Sequence, residues 1–160
     1  FISRAATQKT SEASGSALLS KADVGHGEEI FFGRGSCFSC HQVKGKGIAI
    51  GPDLVGLSKR GRDAAYVVTA ILDPDAYIVE GFQQTSLALK DGSKLFGMVQ
   101  EETAQSVQIF LLTGEERRVS AKDIVTRDDA KHSGMPGSFA YTLSPQDVAD
   151  LTGWIMSLKP

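Results

Sequence analysis

Cys37-Phe38-Ser39-Cys40-His41 is a C-x-x-C-H pentapeptide, the spacing that attaches a c-type haem. Two thiols three positions apart can each add to one of the two vinyl groups on a porphyrin. An imidazole immediately after the second thiol then lies under the ring, where it can ligate iron. The stretch implies one covalent haem c, held by Cys37 and Cys40, with His41 as proximal ligand. Electron transfer becomes the first functional expectation. A structural zinc site needs four ligands, but Cys37 and Cys40 are the only cysteines, and His26 and His132 stand alone. A thioredoxin-like dithiol would open a helix within a βαβ unit, and no parallel-sheet pattern precedes the motif.

Composition sets the frame around this motif. The 160 residues fit one domain, or one domain with an insertion. A hydrophobic fraction of 41% beside 22% charged residues is ordinary for a globular chain. No apolar run is long enough for a transmembrane segment, and a net charge of −2 argues against nucleic acid as a partner. The chain starts at Phe1 with no targeting segment, as a processed form or a piece of a larger protein would. Basic residues gather just after the haem motif (Lys44, Lys46, Lys59, Arg60, Arg62, against the single acid Asp53). They could steer an acidic partner or neutralise haem propionates, or simply form a solvated loop. Arg60 and Arg62, directly after the Gly51-Pro52 loop, are the candidates for a propionate contact.

The pattern along the chain predicts helices at both ends and strands between. Residues 1–19, rich in Ser, Thr, Ala and Gly, read as a flexible leader ahead of a domain over 20–160. A first helix is expected from Ser20, with Ser20 and Asp23 as a capping pair, running to Arg34. A second is capped by Asp63 and stopped at Asp73-Pro74. Asp91-Gly92 and Thr113-Gly114 then separate apolar runs, the mark of hairpins. A β meander of three or four strands is expected over about residues 82–127. Ser144, Pro145 and Asp147 open a last helix, with Val148, Leu151, Ile155 and Leu158 on one face.

A haem used for electron transfer is usually six-coordinate, and three methionines compete for the side opposite His41. Met156 falls in the last helix and Met98 in a strand, where packing accounts for each. Met135 lies in Ser133-Gly134-Met135-Pro136-Gly137, an irregular segment of small residues that could approach a ring. Met135 is the preferred distal ligand. His132, three residues upstream, is the alternative, and an open sixth position is a third.

With these residues placed, the chain resembles class I cytochromes c. The likeness rests on Gly27-x-x-x-Phe31 before the haem motif, Gly51-Pro52-Asp53-Leu54, Met135-Pro136, and Leu151-x-x-Trp154-Ile155-x-x-Leu158. In that family the first and last helices cross at a glycine packed with aromatics, positions matched by Gly27, Phe31 and Trp154. The family's proline, matched by Pro52, offers its carbonyl to the proximal histidine. A narrower resemblance is to the planctomycete and verrucomicrobial type of haem-binding domain. It adds Ile71-Leu72-Asp73-Pro74 and the Leu89-Lys90-Asp91-Gly92 hairpin. Such domains often follow dehydrogenase-like portions of larger proteins.

The expectation is a mainly α protein, a class I cytochrome c helical fold with a small antiparallel meander inserted before the distal-methionine loop. It would be an electron carrier rather than an enzyme, acting as a shuttle or relay for a redox partner or a fused dehydrogenase domain. A haem enzyme or gas sensor with an open or displaceable distal site is the alternative. Thioether attachment takes place outside the cytoplasm, so a periplasmic or otherwise exported location is expected.

Overall fold

The computed structural model describes residues 17–160 except Leu112. The leader expected over residues 1–19 lies outside the described residues apart from 17–19, which form one helical turn. Helix α1 (Val24–Phe32) is started by Asp23, whose carboxylate accepts from the His26 amide at 3.1 Å. The expected start at Ser20 is four residues early, because the Ser20 hydroxyl turns back to the Ala17 carbonyl. Helix α2 (Ala64–Leu72) is capped by Asp63 and ends at Asp73, as its sequence requires. A short α3 (Phe139–Thr142) leads into α4 (Pro145–Ser157), which opens with a complete capping box between Ser144 and Asp147.

α1 and α4 cross with their backbones in contact. A Cβ on Gly27 would stand 2.8 Å from the Trp154 Cβ and closer still to the Asp150 main chain. Only glycine fits there. Phe31 packs on Trp154 with ring centroids 4.7 Å apart, and Phe32 meets the same indole edge-on at 5.9 Å. The predicted stripe Val148, Leu151, Ile155 and Leu158 is buried against Ile30, Phe31, Val67 and Ile71. This is the helical core.

Between α2 and α3 stands a five-stranded antiparallel sheet of order β4-β3-β2-β1-β5. Its strands are β1 (Gln83–Leu89), β2 (Lys94–Glu102), β3 (Ser106–Leu111), β4 (Glu116–Ser120) and β5 (Ile124–Ser133). Both expected turns are present, with Gly92 and Gly114 at φ +85 and +92, where glycine is favoured. The mainly α expectation is nevertheless wrong, because about 27% of the described residues are strand against 33% helix. The excess comes largely from β5, which carries the sheet past residue 127 to Ser133 and pairs along β1.

The connection from β4 to β5 shows how the sheet is shaped. Four flat strand spacings would put these edges roughly 19 Å apart. The path from Ser120 to Ile124 reaches at most about 14 Å. The sheet must therefore curl until its edges approach. Curling encloses a second core of Leu87, Leu95, Val107, Ile109, Leu111 and Val119, each contributing roughly 1.5–3 kcal/mol relative to exposure.

Candidate functional site

The haem motif follows directly from the end of α1. Gly33 closes that helix, and Cys37–Ser39 form a single tight turn in which the His41 amide donates to the Cys37 carbonyl at 2.9 Å. The next loop folds back over this turn. The Ile50 and Gly51 amides both donate to the Cys40 carbonyl, at 3.1 and 2.7 Å. Gly51 thereby lies against the His41 ring, where a Cβ would stand 2.7 Å from Cε1.

His41 Nδ1 lies 2.8 Å from the Pro52 carbonyl oxygen. A carbonyl can only accept, so the proton sits on Nδ1 and Nε2 keeps its lone pair. Burial lowers the His41 pKa and the Pro52 carbonyl opposes it, with a net shift downward. The ring is a neutral imidazole, the form that ligates a metal. Burial also pushes the Cys37 thiol up to about 11. It is protonated at neutral pH and poorly suited to thiolate chemistry. Neither cysteine is in a disulfide.

Cys37, Cys40, His41, Pro52 and Met135 all line one cavity of about 620 Å³, within the range of small-molecule and cofactor sites. Its walls are mostly apolar, drawn from Phe31, Leu54, Val67, Ile71, Leu151 and Ile155 of the helical frame. Among the described residues, no cluster of three or more His, Cys, Asp or Glu side chains could hold a metal ion directly. A large apolar cavity with two thiols and a neutral imidazole on its lining suits a flat macrocycle. When bound, haem would supply one-electron redox chemistry.

The methionines separate clearly. Met135 is half-buried on the lining, its amide donating to the Ser133 hydroxyl at 3.1 Å. Met156 packs against the helical core and is not part of the lining. His132 stands at the end of β5, its side chain 71% exposed and Nδ1 2.8 Å from Asp75. It does not line the cavity. The sequence put it in a loop, and the strand pairing turns it outward.

Both predicted arginines reach the rim. Arg60 donates through one Nη to the Asp53 and Val55 carbonyls, at 2.6 and 2.9 Å. Arg62 lies over the Tyr66 ring at 4.5 Å, and Tyr66 in turn stacks on Tyr77 at 5.3 Å. Among the lining residues that sequence reasoning missed are Arg34, Phe82 and Met98. Arg34 is ion-paired with the buried Asp147 of the capping box. For Met98 a signal was available. Leu95 and Val99 occupy one face of β2, so Phe96 and Met98 form an apolar pair on the other.

The family model described as Cytochrome c matches residues 24–86, from the start of α1 through the haem motif and α2 into β1. No curated protein matches the chain. The cofactor is a single covalent haem c, and the Cys37/Cys40 pair fits its attachment motif. The match supports haem-based electron transfer in general, which implies a redox partner. No described helix is long and apolar enough to cross a membrane.

Proposed function

We propose that this chain relays single electrons through a haem with His41 and Met135 as axial ligands. Cys37 and Cys40 form the thioethers. Pro52 fixes the His41 tautomer, and Arg60 and Arg62 meet the propionates. Residues 20–160 act as one cytochrome c domain, exported, and joined to or partnered with a dehydrogenase-like unit that supplies electrons. The likeness to the planctomycete and verrucomicrobial type of domain favours that context. The observation that carries the reading is the shared apolar cavity, lined by both cysteines, the neutral imidazole and the Met135 side chain. Burial in such a cavity and a thioether opposite histidine both favour a high reduction potential.

Two measurements test it. Protein produced with export and haem-attachment machinery should keep its colour in acidic acetone and weigh one haem more than the polypeptide. Oxidised holoprotein should show the weak far-red band of a thioether bound to iron, and Met135→Ala should abolish it. A band indifferent to that substitution removes Met135 from the ligand set. Colour lost to acetone removes covalent attachment.

A further inference from the structure

The inserted sheet touches the cavity at few points, and one of them lies beside Met135. Met98 is 7% exposed and faces away from the sheet's own core. Its side chain lies against the backbone of Gly134. A Cβ there would come within 3.2 Å of Met98 Cγ and 3.3 Å of Cε, and nearer still to the sulfur. The Gly134 amide donates to the Phe82 carbonyl at 3.3 Å. One residue before that, the Ser133 amide donates to Asp75 at 2.7 Å, and the Ser133 carbonyl accepts from Gln84 at 3.0 Å.

Beyond Gly134 this anchoring stops. The Met135 amide is bonded to the Ser133 hydroxyl, within its own loop. Pro136 has no amide proton. Where Met135 stands is therefore set by what Gly134 rests on, and it rests on a thioether whose three rotatable bonds let it fill an irregular gap. A smaller residue at position 98 leaves a void beneath the loop, and a larger one at 134 lifts the loop off its support.

We propose that Met98 is a positioning residue for the distal ligand, through which the sheet becomes the back wall of the haem cavity. The inference rests on the reading of Met135 as that ligand. Loosening the loop raises the fraction of molecules in which the distal position is open. A competing ligand samples that fraction, so its apparent affinity rises in proportion.

The test titrates oxidised holoprotein with imidazole and follows the far-red band, with amide hydrogen exchange at Gly134 as a second readout. Met98→Ala and Gly134→Ala should each tighten imidazole binding about tenfold and speed Gly134 exchange. Met98→Leu, which refills the space without sulfur, should restore both. Ile109→Ala, an equally disruptive change in the sheet's separate core, should leave imidazole affinity unchanged. If it tightens binding as much as Met98→Ala, the effect is global and the proposal is wrong. Unaltered affinity and exchange in Met98→Ala also overturn it, while the Met135 reading stands provided Met135→Leu removes the band. Loss of the band in Met98→Leu and its survival in Met135→Leu would make Met98 the ligand, overturning both.

Discussion

His26 Nδ1 lies 2.8 Å from Oδ2 of Asp150, a carboxylate only 2% exposed, at the crossing of α1 and α4. Asp150 also accepts from the Asp23 amide at 2.8 Å and the Gln146 amide group at 2.7 Å. The hydrogen bond to Asp150 raises the His26 pKa above 6.5, against a smaller opposing effect of desolvation. That contribution to stability is complete below 6.5 and is lost as pH rises through the folded value. Burial pushes the Asp150 carboxyl up, but the bonds from His26, Asp23 and Gln146 outweigh it and leave it below 3.8. Its contribution is present above 3.8 and is lost as pH falls through the folded value. The pair therefore stabilises most between 3.8 and 6.5. Between about pH 6 and about pH 9 the wild-type Tm should fall more than that of His26→Gln. Parallel Tm curves would show that the pair contributes nothing.

Gly27→Ala pits two effects against each other. Alanine improves helix propensity by about 1 kcal/mol. Its methyl, however, enters space held by the Asp150 backbone and Trp154 Cβ, and overpacking costs about 1–3 kcal/mol. Neither helix can move without disturbing Phe31 and Trp154, so the clash should win. Urea unfolding should show a lower midpoint, and an unchanged or higher one would contradict the packed crossing.

Gly51→Ala places a methyl against the His41 ring, 2.7 Å from Cε1, and should turn the imidazole away from the Pro52 carbonyl. An imidazole that no longer donates to a carbonyl is a weaker electron donor to the metal. The reduction potential should rise with both thioethers intact, as voltammetry of the purified holoprotein would show. A potential equal to wild type would mean that the 2.8 Å contact does not tune the iron.

Arg60 ties Asp53 to Val55 through two carbonyls. Arg60→Ala should lower stability by about 1 kcal/mol. Arg60→Lys should recover little of it, since a compact, strongly hydrated ammonium on a flexible stem is not held against both carbonyls as one nitrogen of the rigid guanidinium plane is. Full rescue by lysine in guanidinium titrations would reduce the role of Arg60 to its charge.

The parts of this molecule that follow local rules were legible in its sequence. Ser144-Pro145-x-Asp147 carries a helix start in four residues, and Asp91-Gly92 carries a turn in two. β5 was not legible. Ile124–Ser133 includes Arg127, Asp128, Asp129, Lys131 and His132 and lacks apolar alternation. Its residues are mostly exposed because it is an edge strand, and charge on an edge is what protects it from pairing with other chains. Its partner, β1, lies some forty residues upstream, so the pairing is set by the curl of the whole sheet. Met135 could be singled out because its neighbours are irregular. Met98 carried a fainter signal, its pairing with Phe96 on one face of β2, and that pairing alone does not say which core the methionine serves until the second core is seen.

The Gly134 amide reaching back to the Phe82 carbonyl makes the sheet a graft. The chain leaves the helical frame and rejoins it at almost the same point, so the frame needs only a short gap to accept fifty residues. The graft brings its own apolar interior and can vary on its outer surface without disturbing the junction. Lineages carrying this domain would be free to diversify that surface while the sulfur-and-imidazole chemistry beneath stays fixed.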